Sequence, residues 1–228
     1  VDDNPIVIPR IVGGAEAQRS RYSYMASLQK SDGSTICGGT LVAPDVVLSA
    51  AHCAGIFDRV AIGMHDVYDD NYDVYDIEAS IAHPWYSFTD ENMDINFDFL
   101  LIKLNATVPE DKYRPVGLNR NSKLPRKLGD AVTVLGWGTI DTEATQMSEY
   151  LRRAELEYVP NDDCEASGTW IDGKYYSYQG FIEENMLCAW GDEKDACLGD
   201  SGGPLIVEGT GTDYEDSFGD VQVGVVSF

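Results

Sequence analysis

Short apolar and β-branched runs recur along the chain, each closed off by turn-forming residues. The runs at 40–49, 98–104, 131–135, 204–207 and 221–227 read as strands of a half-buried sheet. Ser31-Asp32-Gly33 and Gly209-Thr210-Gly211 supply the glycine and short polar side chains that tight turns need. Sustained helical periodicity is missing, and only residues 161–166 predict a single short turn of helix. No internal repeat stands out, and no apolar run nears the ~18 residues that would span a bilayer. The pattern predicts an all-β protein.

Composition narrows the function classes. With 228 residues, the chain can hold one large core or two small ones, and 43% hydrophobic with 11% aromatic residues is a globular composition. Sixteen basic residues face 39 acidic ones, for a net charge of −23. Such a surface repels phosphate, so a nucleic-acid partner is excluded. Residues 60–102 contain ten acidic side chains and neither Lys nor Arg. A solvated face explains that stretch, while steering of cationic substrates or a cation site would be its functional reading. The first residues lack a basic region followed by an apolar core. The five cysteines, at 37, 53, 164, 188 and 197, are an odd set, which leaves one thiol to explain. Asn105-Ala106-Thr107 is a glycosylation sequon.

Candidate chemistry centres on Gly199-Asp200-Ser201-Gly202-Gly203-Pro204. A serine inside a glycine-rich turn can expose its hydroxyl and aim backbone N–H groups at one point, as a nucleophile and an oxyanion hole require. The hydroxyl needs a base. The three histidines, at 52, 65 and 83, all precede Ser201, so an α/β-hydrolase order with histidine after serine fails within the chain. The order histidine, aspartate, serine survives, with His52 in Leu48-Ser49-Ala50-Ala51-His52-Cys53 and Asp98 opening Asp98-Phe99-Leu100-Leu101-Ile102-Lys103-Leu104. Asp94 is a nearby competitor that does not directly precede that strand, and His65 and His83 are assigned to loops without a catalytic role.

Together with Ile11-Val12-Gly13-Gly14, these motifs resemble the trypsin-like (chymotrypsin-fold) serine proteases from about Ile11 to the last residue. The resemblance implies two packed six-stranded antiparallel Greek-key barrels, over 11–119 and 120–228, with the active site in the cleft between them. It implies His52, Asp98 and Ser201 as catalytic residues, the backbone N–H groups of Gly199 and Ser201 as oxyanion hole, and Ser227 bonded to Asp98. Asp195, six residues before Ser201, would form the base of a pocket for Arg or Lys, with Phe228 in place of the family's tryptophan beside it. Residues 1–10 would be an activation peptide. Cleavage at Arg10-Ile11 would free an ammonium to bury against Asp200, so the chain as written would be a zymogen.

By the same resemblance Cys37 pairs with Cys53 and Cys164 with Cys188, while the partner of Cys197 would lie beyond Phe228 in a further segment carrying a pocket wall, a strand and a helix. The expected protein is secreted, monomeric and free of cofactors. It acts on proteins or peptides with Arg or Lys, meets protein inhibitors, and binds neither nucleic acid nor membrane. Calcium in the 65–76 loop is an additional possibility, although Met64 stands where the family has a glutamate. The aromatic side chains of Trp170, Tyr175, Tyr176, Tyr178 and Phe181, between Cys164 and Cys188, would wall an extended substrate site or pack on themselves. The alternative function is a catalytically silent homologue that binds or regulates a partner.

Overall fold

The computed structural model describes residues 14–87, 96–139, 146–171, 174–191, 200–209 and 219–227. Its elements are β1 (Ala15–Glu16), β2 (Met25–Gln29), β3 (Thr35–Ala43), β4 (Val46–Ser49), a 3-10 turn at Ala51–Cys53, β5 (Arg59–Ile62), β6 (Asp73–Tyr75), β7 (Ile77–Ala82), β8 (Leu100–Leu104) and β9 (Gly117–Leu118). They continue as β10 (Ala131–Gly136), β11 (Arg152–Val159), the helix α1 (Asn161–Glu165), β12 (Gly168–Ile171), β13 (Lys174–Ser177), β14 (Cys188–Trp190), β15 (Pro204–Val207) and β16 (Val221–Val225). The run at 40–49 thus divides into two strands around Pro44 and Asp45, and the expected single turn of helix is α1. The all-β architecture is present.

Period-two burial explains the strands. In β8, Leu100, Ile102 and Leu104 are buried while Leu101 is 49% exposed. In β11, Ala154 and Leu156 face inward and Glu155 and Glu157 outward. The first sheet runs β6-β5-β2-β3-β4-β8-β7. Its two edges, β6 and β7, are consecutive pieces of one passage interrupted at Asp76, so the sheet closes on itself as a six-stranded barrel. The second runs β1-β11-β10-β15-β16-β9, with β14 also on β11. Two short pieces from before residue 119, β1 and β9, pair into this second sheet. Among the described residues no strand joins β14 to β16, and an apolar groove between them is lined by Val134, Leu156, Leu187, Leu205 and Val223.

One hydrophobic cluster spans both sheets, and the second sheet carries a smaller one of its own around Val132, Val134, Ala154, Leu156 and Leu205. Tyr24, Met25, Leu28, Leu41, Leu100 and Ile102 from the first pack in the same cluster as Leu135, Trp137 and Ile206 from the second. Each such side chain contributes about 1.5–3 kcal/mol by leaving water. Across the seam, Arg21 reaches Asp220 with both terminal guanidinium nitrogens, one at 2.7 Å from Oδ1. The carboxylate also accepts from the Tyr24 hydroxyl (2.8 Å) and the Gly209 N–H (2.9 Å). Asp220 is 3% exposed, so its charge depends on these partners. The carboxylate holds the guanidinium protonated more firmly than usual, against the opposing effect of burial, and burial pushes the Tyr24 phenol well above its ordinary pKa.

Removing one partner of such a pair leaves the other charge buried alone. Arg21→Ala is therefore expected to lower unfolding free energy by about 3–5 kcal/mol in chemical denaturation. A loss no greater than the ~1 kcal/mol of a surface pair would contradict the assignment.

Candidate functional site

Three segments from both barrels meet at Asp98. After β4 the chain turns through Ala51–Cys53, which carries His52 at the mouth of the seam with its side chain 32% exposed. Asp98 comes just before β8 and is 6% exposed. Its Oδ2 lies 2.7 Å from His52 Nδ1, and its Oδ1 accepts the His52 backbone N–H at 2.8 Å. From the other barrel, just past β16, the Ser227 hydroxyl donates to Oδ2 at 2.6 Å. Burial alone would push the Asp98 carboxyl up. The hydrogen bonds from the His52 ring, Ser227 and the His52 N–H outweigh it and hold the group below the ordinary carboxylate range. An ionised carboxylate that accepts from Nδ1 leaves Nε2 of the neutral ring as the basic nitrogen.

Ser201 is held against the same segment. Its carbonyl accepts the Gly38 N–H at 2.8 Å and lies 4.0 Å from Cys53 Sγ. The Cys37 and Cys53 sulfurs are within 4.8 Å of a His52 ring nitrogen. Gly202, at φ +81°, makes this approach possible, since a Cβ there would sit 2.1 Å from Ser49 Oγ and 2.6 Å from the Gly38 carbonyl. No hydrogen bond joins the Ser201 hydroxyl to His52 among the described residues. In free enzymes such bonds are often long and tighten when substrate arrives.

The residue before the serine is a buried acid. Asp200 is fully enclosed and accepts the Gly138 N–H at 2.8 Å through Oδ1. A Cβ at Gly138 would fall 2.4 Å from that carboxylate, so glycine is needed for close approach. Nearby, Arg152 donates to the Gly14 carbonyl at 2.8 Å, and β1 lies along β11. Arg152 also stands opposite Gly136, which lies against the Asp200 carboxylate.

The structure forms both disulfides, Cys37–Cys53 and Cys164–Cys188. The first fixes the histidine turn to β3, and the second ties α1, which carries Cys164, to the start of β14 and closes the segment holding the β12–β13 hairpin. In that hairpin Trp170 stands opposite Tyr175 in register, and Tyr175, Tyr178 and Phe181 are about half exposed. Asn105 is exposed, and its amide donates to Asp76 Oδ2 at 3.2 Å. Residues 1–10, Ile11, Asp195, Cys197, Gly199 and Phe228 lie outside the described residues.

Three carboxylates of the 65–76 loop are engaged elsewhere. Asp69 faces Arg19 at 2.9 Å, Asp73 faces Lys112 at 3.0 Å, and Asp66 accepts its own loop's Tyr68 N–H. Calcium needs six or more oxygens around one point. Among the described residues these carboxylates form no such cluster. Among the described residues, the one group of three such ligand atoms is Cys37, His52 and Cys53, whose sulfurs are already joined. His65, expected in a loop, is buried there with Nε2 3.0 Å from Glu16.

Sequence reasoning missed two ties around Asp98. Asn185, from the Cys164–Cys188 segment, donates to Asn96 Oδ1 at 2.7 Å, and Phe97 takes a left-handed φ of +57°. Neither carries a sequence signal, because polar pairs across loops and left-handed phenylalanines follow no local pattern.

The profile of the Trypsin family matches residues 11–228. Human Kallikrein-8 is 33% identical, over 88% of this chain and 73% of its own length. Mouse Kallikrein 1-related peptidase b1 is 30% identical over 92% and 79%, and the snake venom serine protease NaSP of Naja atra 31% identical over 90% and 68%. The solved structure of neuropsin, a serine protease expressed in the limbic system of mouse brain, superposes with a TM-score of 0.73 at 31% identity, covering 84% of this chain and 80% of that one. A closed first barrel, the buried aspartate against His52 and the serine turn beside it fit these likenesses. The chain belongs to the Trypsin family of serine proteases.

Proposed function

We propose that the protein is a secreted endopeptidase precursor that cleaves after Arg or Lys, with His52, Asp98 and Ser201 as its catalytic residues. The observation that carries this reading is the buried Asp98, whose carboxylate oxygens lie at hydrogen-bond distance from both the ring and the backbone N–H of His52. That double contact orients the imidazole and stabilises the cation it becomes. Ser201 Oγ attacks the scissile carbonyl as Nε2 takes its proton, and the backbone N–H groups of Gly199 and Ser201 bind the oxyanion. Collapse of the tetrahedral intermediate breaks the C–N bond, and His52 returns the proton to the leaving amine. Water, deprotonated by His52, then attacks the acyl-enzyme and frees Ser201.

Asp195 would pair with the substrate's guanidinium or ammonium, which requires a carboxylate at the pocket base. The exposed aromatic side chains of Tyr175, Tyr178 and Phe181 would contact residues before the scissile bond. Cleavage after Arg10 would free the Ile11 ammonium to reach the Asp200 cradle. Its glycine-lined shape and the anchoring of Gly14 by Arg152 support that route. Two disulfides and the exposed Asn105 sequon support an oxidising, secretory location with a glycan on Asn105. Protein substrates and protein inhibitors are the partners of a monomer in this reading.

Trace trypsin should release an Ile11 N-terminus and raise hydrolysis of a fluorogenic Arg-amide, and Asp195→Ser should abolish the preference for Arg over neutral residues. Cleavage without gain in activity would contradict the precursor assignment. Asp98→Asn in the activated protein should lower kcat by about 10⁴-fold, and a loss under about tenfold would contradict its role.

Acid stability supplies an independent check. Because the folded pKa of Asp98 is depressed, its contribution to stability is complete above the unfolded value, about 3.9, and is lost as pH falls through the folded value. Ser227→Ala removes one donor and raises the folded value. Thermal unfolding followed from about pH 6 to about pH 2 should show the variant losing stability at higher pH than the parent. Superimposable curves would contradict the assigned hydrogen bond.

A further inference from the structure

Asp98 follows a residue in an unfavourable backbone state. Phe97 adopts φ +57°, a region where its Cβ crowds the following carbonyl and where bulky residues are rare. Glycine or asparagine would take this conformation with less strain, yet the sequence places a phenylalanine there. The Phe99 N–H closes a tight turn onto the Phe97 carbonyl at 2.7 Å, and the Phe97 N–H donates to Asn96 Oδ1 at 2.9 Å. This turn sets the direction in which the Asp98 carboxylate leaves the backbone. A return of Phe97 to negative φ would rotate the intervening peptide and swing the carboxylate away from His52.

The ring of Phe97 is held from two sides. His83 stacks on it with centroids 4.9 Å apart and planes 10° from parallel. Trp85 meets it edge-on at 5.1 Å and 76°. His83 is itself fixed, because its N–H donates to the Phe99 carbonyl at 2.8 Å and its Nδ1 accepts the Trp85 N–H at 3.3 Å. Trp85 is 68% exposed, so little of its surface is engaged in the core. We propose that His83 and Trp85 clamp the Phe97 ring so that the left-handed turn persists and aims Asp98 at His52, making Phe97, His83 and Trp85 positioning residues for the reaction. Neither aromatic touches the reacting atoms; they act through the backbone of Phe97. The inference rests on the catalytic reading of His52, Asp98 and Ser201.

The test uses the activated full chain, with kcat and KM on an Arg-amide and the low-field proton resonance of the His52 Nδ1–H. Trp85→Ala should lower kcat by about ten- to a hundredfold, the range expected when a catalytic group is misaligned, with KM little changed. It should also broaden or shift the Nδ1–H resonance. Phe97→Ala should behave likewise. Phe97→Asn, which tolerates the left-handed region without a ring, should recover most of what Phe97→Ala loses. Adding Trp85→Ala to Phe97→Asn should then cost nothing further, because the clamp has nothing left to hold. A Trp85→Ala effect confined to KM would make Trp85 a substrate contact and overturn the proposal. So would an equal kcat loss from Trp85→Ala in both backgrounds, or no loss in either. Ser201→Ala is measured in the same series. Retained activity there would remove the catalytic reading itself, an outcome distinct from failure of the clamp alone.

Discussion

A carboxylate taken out of water must be repaid in hydrogen bonds or opposite charge, and Asp98 meets that requirement with donors from both barrels. His52 contributes its ring and its backbone N–H from one side of the seam, and Ser227 contributes its hydroxyl from the other. The geometry is self-consistent. The aspartate stays ionised because the donors converge, and the imidazole is oriented because the aspartate stays ionised. Separation of the barrels would expose the carboxylate and free the ring together, so the shared core at the seam is a condition of the chemistry as well as of stability.

The same solution recurs along the seam. Asp200 is enclosed beside Gly138, and Asp220 is enclosed by Arg21, Tyr24 and the Gly209 N–H. Among the described residues most carboxylates are solvated, whereas these three are buried and supplied with donors. Their partners come from distant parts of the sequence, which couples the burial of each acid to the correct docking of the two sheets. Of the three, Asp98 faces the open mouth of the seam, Asp200 underlies the serine turn, and Asp220 ties the start of the first barrel to the second.

Much of this was legible in the residues. Alternating apolar runs located β8, β10, β15 and β16 to within a residue or two, because period-two burial leaves a clear trace. The order of His52, Asp98 and Ser201 pointed to one constellation, and the structure brings the histidine and aspartate together directly. The closure of the first barrel through the break at Asp76 was not legible, since nothing local distinguishes one interrupted strand from two. The Arg21–Asp220 pair was hidden for a related reason: 199 positions separate residues whose types are common on any surface. His65 was read as a loop histidine, yet its ring is buried against β1, a contact that only the docking of the N-terminal segment creates. The left-handed Phe97 ran against residue preference, and such disagreement marks positions where tertiary contacts impose the conformation.

In the proposed mechanism Asp98 and His52 make the oxygen of Ser201 a nucleophile. Treating the activated protein with a fluorophosphonate, followed by peptide mass analysis, tests it most directly. A single adduct is expected, on the peptide bearing Ser201, forming rapidly in the parent and nearly absent in His52→Ala and Asp98→Asn. An adduct elsewhere, or equal labelling in all three proteins, would contradict it.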